Sequence, residues 1–167
     1  MTNILSDLTE EFELESKSTR KILEGVDFSH SMWKPHEKSM TLGRLATHIA
    51  ELPVWINRIL SSDKFDFATA KFTPNVASND QDLLKTFEEH FISAKKALNE
   101  VANDDFLNQS WTAVRGDITV ASSSRKMAIR HWAINHIIHH RGQLSVFLRL
   151  LNIPVPGLYG PSADDRR

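Results

Sequence analysis

The sequence holds eight histidines and no cysteine, and four of the histidines lie between His131 and His140. Without thiolates, a transition-metal site in this chain must be built from imidazole and carboxylate. His136 and His140 are four residues apart. On a helix advancing about 100° and 1.5 Å per residue, they stand about 40° apart in azimuth and about one turn apart in height. Two imidazoles in that register can converge on one cation. They share a stripe with Ala133, Leu144, Phe147 and Leu151, so both rings point where the rest of the face is apolar. Two buried imidazoles without a shared partner are costly; on spacing alone, a shared metal and ordinary hydrogen bonding both answer that cost.

A metal site needs a third ligand from another element. His48 lies three residues after Leu45 and four before Leu52, bordering an inward stripe; alone, it reads as a boundary histidine with its ring in water. Glu51, near it on the same helix, can be a ligand, an acceptor behind the ligands or a solvated carboxylate. His90, between Phe87 and Ala94, is a weaker competitor. His139 falls about 60° to the other side of His136, His131 is farther off the face, and His30 and His36 lie in a loop. These four read as ordinary histidines.

Four segments with helical periodicity must position these groups. The first covers about 3–24, with Leu5, Leu8, Phe12, Ile22 and Leu23 inward and Gly25 behind it. Its stripe weakens at Glu15 and Thr19, which predicts partial exposure or a contact with another subunit. The second runs from about Thr41 to Leu60, and Pro53 is expected to bend rather than end it, because the apolar pattern continues beyond. Residues 61–77 read as a linker. The third helix starts at the cap candidates Ser78-Asn79-Asp80 and runs to about Ala102. Residues 103–122 lose the helical period, and Arg115-Gly116-Asp117 reads as a turn within a short hairpin. The fourth and longest helix extends from about Ser124 to Leu151, with Asn152, Pro154 and Pro156 ending it. The expectation is an all-α four-helix bundle with an irregular segment before the last helix.

The 167 residues suit one domain spanning 1–167. Basic and acidic side chains number 20 and 21, so the electrostatic footprint of general nucleic-acid binding is missing. The start Met1-Thr2-Asn3-Ile4-Leu5-Ser6-Asp7 is unlike a signal peptide. No uncharged apolar run approaches the roughly 20 residues that span a bilayer. The expectation is a cytoplasmic protein with no membrane and no nucleic-acid partner.

His48-Ile49-Ala50-Glu51 and Asn135-His136-Ile137-Ile138-His139-His140-Arg141-Gly142-Gln143 resemble the metal-binding DinB-like (DinB/YfiT) family of four-helix bundles. Leu144 to Leu151, continued by Asn152-Ile153-Pro154-Val155-Pro156-Gly157, is similar to the C-terminal pattern of that family. The resemblance spans the chain in helix order, is strongest at His-x-x-His-His-Arg-Gly-Gln, and is weak through residues 61–122. It implies a divalent metal, zinc or nickel, held by His48, His136 and His140, a long crossover in the bundle, and a homodimer. The family is unrelated to the DNA polymerase that shares its name.

Similarity to thiol-dependent S-transferases in the family implies a low-molecular-weight thiol cofactor and a small-molecule substrate. Three histidines also leave an open metal position suited to hydrolysis, although no His-Glu-x-x-His motif is present. Glu51 could then act as a base and Gln143 could lie behind the ligands or on the helix surface. Arg141 reads as part of a solvated face, or as a contact for an anionic substrate or a partner's carboxylate. Tyr159 either packs the tail down or reaches the mouth of the site. The rival readings are a non-catalytic metal-binding stress or sensor bundle and a metal-free interaction module.

Overall fold

The computed structural model describes residues 3–71 and 74–165; residues 1–2 and 166–167 of the expected domain and residues 72–73 of the expected linker lie outside them. Helix α1, Ile4–Leu23, opens on Asn3, whose side chain accepts from the Ser6 amide at 3.0 Å. Leu8, Phe12, Ile22 and Leu23 are buried on it, as the apolar spacing predicts. Thr19 is buried too, and its reason appears with Arg141 below.

The second helical segment is two helices, α2 (Leu42–Glu51) and α3 (Val54–Ser61). Proline has no N–H to donate, so the Ile49 carbonyl receives the Leu52 amide instead, at 3.3 Å. Leu52 and Pro53 both keep right-handed helical angles. The buried stripe of Leu45, Ile49, Leu52, Ile56 and Ile59 therefore runs on across the break. The hydrogen-bond ladder ends at Pro53, and the direction of the apolar face survives.

Helix α4, Asp80–Asn99, is capped by Asn79 and buries Leu83, Phe87, Ala94 and Leu98. It packs on α1, α2 and α3. A short helix α5, Asp104–Asn108, follows. The last helical segment is α6 (Arg125–Ile129), a π turn (Arg130–Ile134) and α7 (Asn135–Leu150). In the π turn the Asn135 amide reaches back to the Arg130 carbonyl, so one extra residue is inserted just before His136. Helix α7 packs on α1 and α2. It ends where the sequence predicts: Asn152 adopts φ +58°, and the Ile153 amide closes on the Leu148 carbonyl at 2.9 Å.

The expectation of a purely α-helical bundle is corrected by a three-stranded sheet in the order β1-β2-β3. Strand β1 is Lys64–Asp66, β2 is Ser110–Arg115 and β3 is Ile118–Ser124. The hairpin β2–β3 lies where the helical period fails, and Gly116 takes φ +59° at its turn, the place a two-residue hairpin loop reserves for glycine. Strand β1 pairs in parallel with β2 inside the stretch read as linker. Three residues carry too little alternation to announce a strand, and their partners lie far along the chain. Asp66 anchors the arrangement: Oδ1 accepts from the Gly116 amide at 3.0 Å and the Ala68 amide at 2.8 Å.

The sheet is joined to the helices by Arg125, which is 2% exposed. Its Nε donates to the Ile59 carbonyl at 3.2 Å, its guanidinium pairs with Asp63, and its charge sits 4.3 Å from the Phe106 ring centroid. No helix among the described residues is long and apolar enough to cross a membrane.

Candidate metal centre

His48 is carried by α2, and His136 and His140 by α7, two helices in direct contact. One ligand atom from each histidine can be chosen so that all three lie within 4.8 Å of one another. The ring centroids are 4.7 Å apart for His48–His140, 5.2 Å for His48–His136 and 4.7 Å for His136–His140. His140 is buried and the other two are half-buried. The structure thus brings together the three residues the sequence singles out.

The hydrogen bonds around the rings decide what they can hold. His140 Nδ1 lies 2.7 Å from Gln143 Oε1 and donates to it, which leaves Nε2 with a lone pair. That Nε2 lies 2.9 Å from His136 Nε2. The two Nε2 atoms therefore face one another at hydrogen-bond distance, with His48 alongside. A proton shared between them satisfies the pair, and a cation bound by both rings takes its place. Burial pushes His136 down to about 4 and His48 down to about 3, with the neighbouring His140 next in effect on each. Burial also holds His140 below the usual range, with Gln143 opposing. A further proton is thus disfavoured near neutral pH, and neutral imidazole is the form that binds metal.

The same shifts set a pH dependence. In the unfolded chain these groups titrate near 6.5, and in the fold they stay neutral well below it. Between those values the unfolded state binds more protons, so stability falls as pH falls. Thermal melts of metal-free protein are expected to show the midpoint dropping from pH 6.5 toward 4. His48→Gln should make that drop shallower; an unchanged slope would contradict the shift.

Around the three rings, the roles of other expected residues separate. Gln143 orients His140, and its Nε2 lies 3.2 Å from His139 Nε2. Outer groups of this kind are worth about 10–100-fold in metal affinity. Gln143→Leu should weaken zinc by that range without unfolding an exposed helix position, measured by chelator competition. Glu51 is an ion-pair partner of Arg44, at 3.0 Å, on the flank of His48. His90 is not in the cluster. Its Nδ1 donates at 3.0 Å to the Ala50 carbonyl, near the break at Pro53, and it lines a cleft of about 180 Å³ with His48, Glu51, Trp55 and Arg58. A second cleft, of about 410 Å³, opens on the other side beside His140, Gln143, Leu45 and Phe147. His30 and His36 keep local contacts with Asp27 and the Lys38 amide, and His131 touches Trp132.

Arg141 corrects the sequence reading. It is 1% exposed, not part of a solvated face. It pairs with Glu15, donates to the Glu15 carbonyl at 2.9 Å and to Thr19 Oγ1 at 3.1 Å, and meets the Tyr159 hydroxyl. Glu15 and Thr19, the weak places in the α1 stripe, are the receptor for this guanidinium. They supply no reason to invoke another subunit. Tyr159 also donates to Glu15 at 2.8 Å, so it fastens the C-terminal tail to α1 and lines neither cleft at the three histidines.

A model of the DinB family matches residues 1–166. The chain belongs to the DinB family. Among curated proteins, this DinB-family chain is 24% identical to the uncharacterised protein YrdA of Bacillus subtilis strain 168, over 99% of its own length and 93% of that protein. A DinB-like protein of Bacillus cereus ATCC 10987 has a similar structure, with a TM-score of 0.71 at 20% identity, covering 91% of this chain and 95% of that one. The DinB-like protein YjoA of Bacillus subtilis follows at a TM-score of 0.68 and 19% identity, covering 93% and 99%. At these identities the structural likenesses establish the fold alone.

Sequence reasoning had no signal for Arg58 or Trp55 as neighbours of the site. Their cleft is formed by α3 meeting α4, and only a helix break at Pro53 could have hinted at it.

Proposed function

We propose that this protein is a divalent-metal enzyme in which His48, His136 and His140 hold a zinc or nickel ion that activates a small-molecule thiol or a water for S-transfer or hydrolysis. The reading is carried by the convergence of the three rings: His136 Nε2 and His140 Nε2 are 2.9 Å apart, and a ligand atom of His48 lies within 4.8 Å of one on each. Three imidazoles are the protein share of a catalytic zinc site, which keeps a further position open, whereas structural sites close all four. A divalent ion bound there supplies Lewis acidity, lowering the proton affinity of a thiol or water.

The chain's own residues provide the rest. Gln143 holds the His140 ring in the tautomer that presents Nε2. His90, donating through Nδ1 to Ala50, keeps Nε2 as an acceptor in the cleft it shares with His48, where it can take a proton. Arg44 neutralises Glu51, so no free carboxylate competes for the ion beside His48. With no cysteine in the chain, a thiol at this centre comes from a small molecule. A purely structural metal is disfavoured by the core: Ile49, Ile56, Phe87, Ile137 and Leu144 already pack the helices together around the site.

The test is metal analysis of tag-free protein followed by turnover assays. The expected result is one zinc or nickel ion per chain, with either transfer to a small thiol or hydrolysis of an ester or amide. A metal content near zero after incubation with zinc and with nickel would overturn the reading.

A further inference from the structure

The cleft beside His48 contains a guanidinium that no carboxylate among the described residues contacts directly. Arg58, on α3, is half-buried. Its charge lies 4.8 Å from the Trp55 ring centroid and 5.2 Å from that of Phe65. Among the described residues, its guanidinium has no carboxylate partner and no hydrogen-bond acceptor, while other half-buried or buried arginines are engaged: Arg44 with Glu51, Arg125 with Asp63, Arg130 with Glu11, Arg141 with Glu15. Glu51 exerts a favourable charge effect on Arg58 but spends its short contact on Arg44. The two rings pack edge-to-face with centroids 4.9 Å apart, and a flat cation held against that pair is restrained in direction before any ligand arrives. The aromatic support is itself anchored: Trp55 packs on Phe65, Phe67 and Trp132, and Phe65 belongs to β1. Burial without a partner disfavours the charged form and is retained where a ligand supplies the partner.

We infer that Arg58 is a ligand-binding residue that receives the carboxylate of a small substrate or thiol cofactor whose reactive end lies at the His48–His136–His140 centre. This rests on the metal-enzyme reading above and adds the charge of the ligand to it. One guanidinium offers two parallel N–H donors, which match a carboxylate in a bidentate pair. The cleft, about 180 Å³, is smaller than the roughly 300–1,000 Å³ of drug-sized ligand sites, so the part of the ligand between carboxylate and reactive atom is short. His48 and Arg58 line the same cleft, which places the two recognition points on one molecule. Strand β1 thereby gains a purpose: it brings Phe65 over a guanidinium that α3 alone would leave in water.

The experiment compares 3-mercaptopropionate with its uncharged counterpart 2-mercaptoethanol. Binding is followed by calorimetry on zinc-loaded full-length protein and by the Arg58 Nε–H resonance on both metal-free and zinc-treated protein. The carboxylated thiol is expected to bind at least about tenfold more tightly, as one charge-assisted bidentate contact provides, and to move the Arg58 resonance in both samples. Arg58→Gln should erase the preference while leaving 2-mercaptoethanol affinity unchanged, and Arg58→Lys should retain part of it. Equal affinities for the two thiols, a still Arg58 resonance, or a preference that survives in Arg58→Gln would overturn the inference. Should Arg58→Gln fail to fold, the wild-type preference and the resonance decide. If the protein takes up no zinc, the metal reading falls; movement of the Arg58 resonance in metal-free protein still decides the carboxylate site.

Discussion

His136→Ala is expected to abolish stoichiometric zinc or nickel binding while leaving the helical fold in place. The ring of His136 is half-buried and supplies one of two opposed Nε2 atoms; without it, His140 and His48 remain as a two-point site. The affinity loss should exceed the roughly 10–100-fold of an outer-shell change. The fold should survive because the neighbouring apolar contacts of Ala133, Ile137 and Leu144 are untouched, and because one imidazole held neutral against its preference has been removed. Metal content after dialysis and a thermal melt of the metal-free protein are the two measurements. Loss of the metal together with the fold would assign the ion a structural role; retained tight binding would remove His136 from the centre.

Arg141→Met should be the most destabilising of the changes considered. The guanidinium is enclosed by Glu15, Thr19 and Tyr159, and the Glu15 side chain is only 14% exposed. Removing one member of a buried pair leaves the other uncompensated, at a cost of about 3–5 kcal/mol. For a chain of this size that lowers Tm by roughly 6–20 °C. The double replacement Arg141→Met with Glu15→Leu should recover part of the loss, because no buried charge is then left alone. Thermal or urea unfolding of the two variants checks both statements, and a double variant no better than the single one would contradict them. Any activity is expected to follow stability here, since Arg141 faces α1 and not the clefts beside the three histidines.

His136 lies four positions before His140 and Arg141 one position after it, and the two show what a helical pattern can and cannot carry. His136 and His140 were legible because a rigid helix converts a spacing of four into one face, and the same face bore Leu144 and Phe147. Arg141 was not legible. A charged residue is read as solvated until a receptor for it is known, and its receptor is on α1, more than a hundred residues away. The weak places at Glu15 and Thr19 were a trace of that receptor, visible only as a flaw in an apolar stripe.

The remaining differences have the same origin. The apolar stripe through Pro53 was continuous in the sequence, and its burial is continuous in the structure; the break in the hydrogen-bond ladder follows from the missing N–H at that residue. The π turn at Arg130–Ile134 leaves no comparable mark, since it needs only one backbone bond to skip a residue. Strand β1 is stabilised by its pairing with β2 and by the Asp66 contacts to the hairpin turn, neither of which is local.

From the sequence alone followed the four helical segments, the hairpin turn at Gly116 and the helix stop at Asn152. So did the register of His136 and His140, because each depends on neighbours within a turn or two of backbone geometry. His48 came from the resemblance of its motif, while only the tertiary structure decided that its ring meets the other two, that the bundle carries a sheet, that Arg141 is a buried clamp and that Arg58 has no carboxylate contact among the described residues. Those outcomes depend on which faces of distant segments meet, and side-chain chemistry at such meetings is set by burial and partners, which no local spacing encodes.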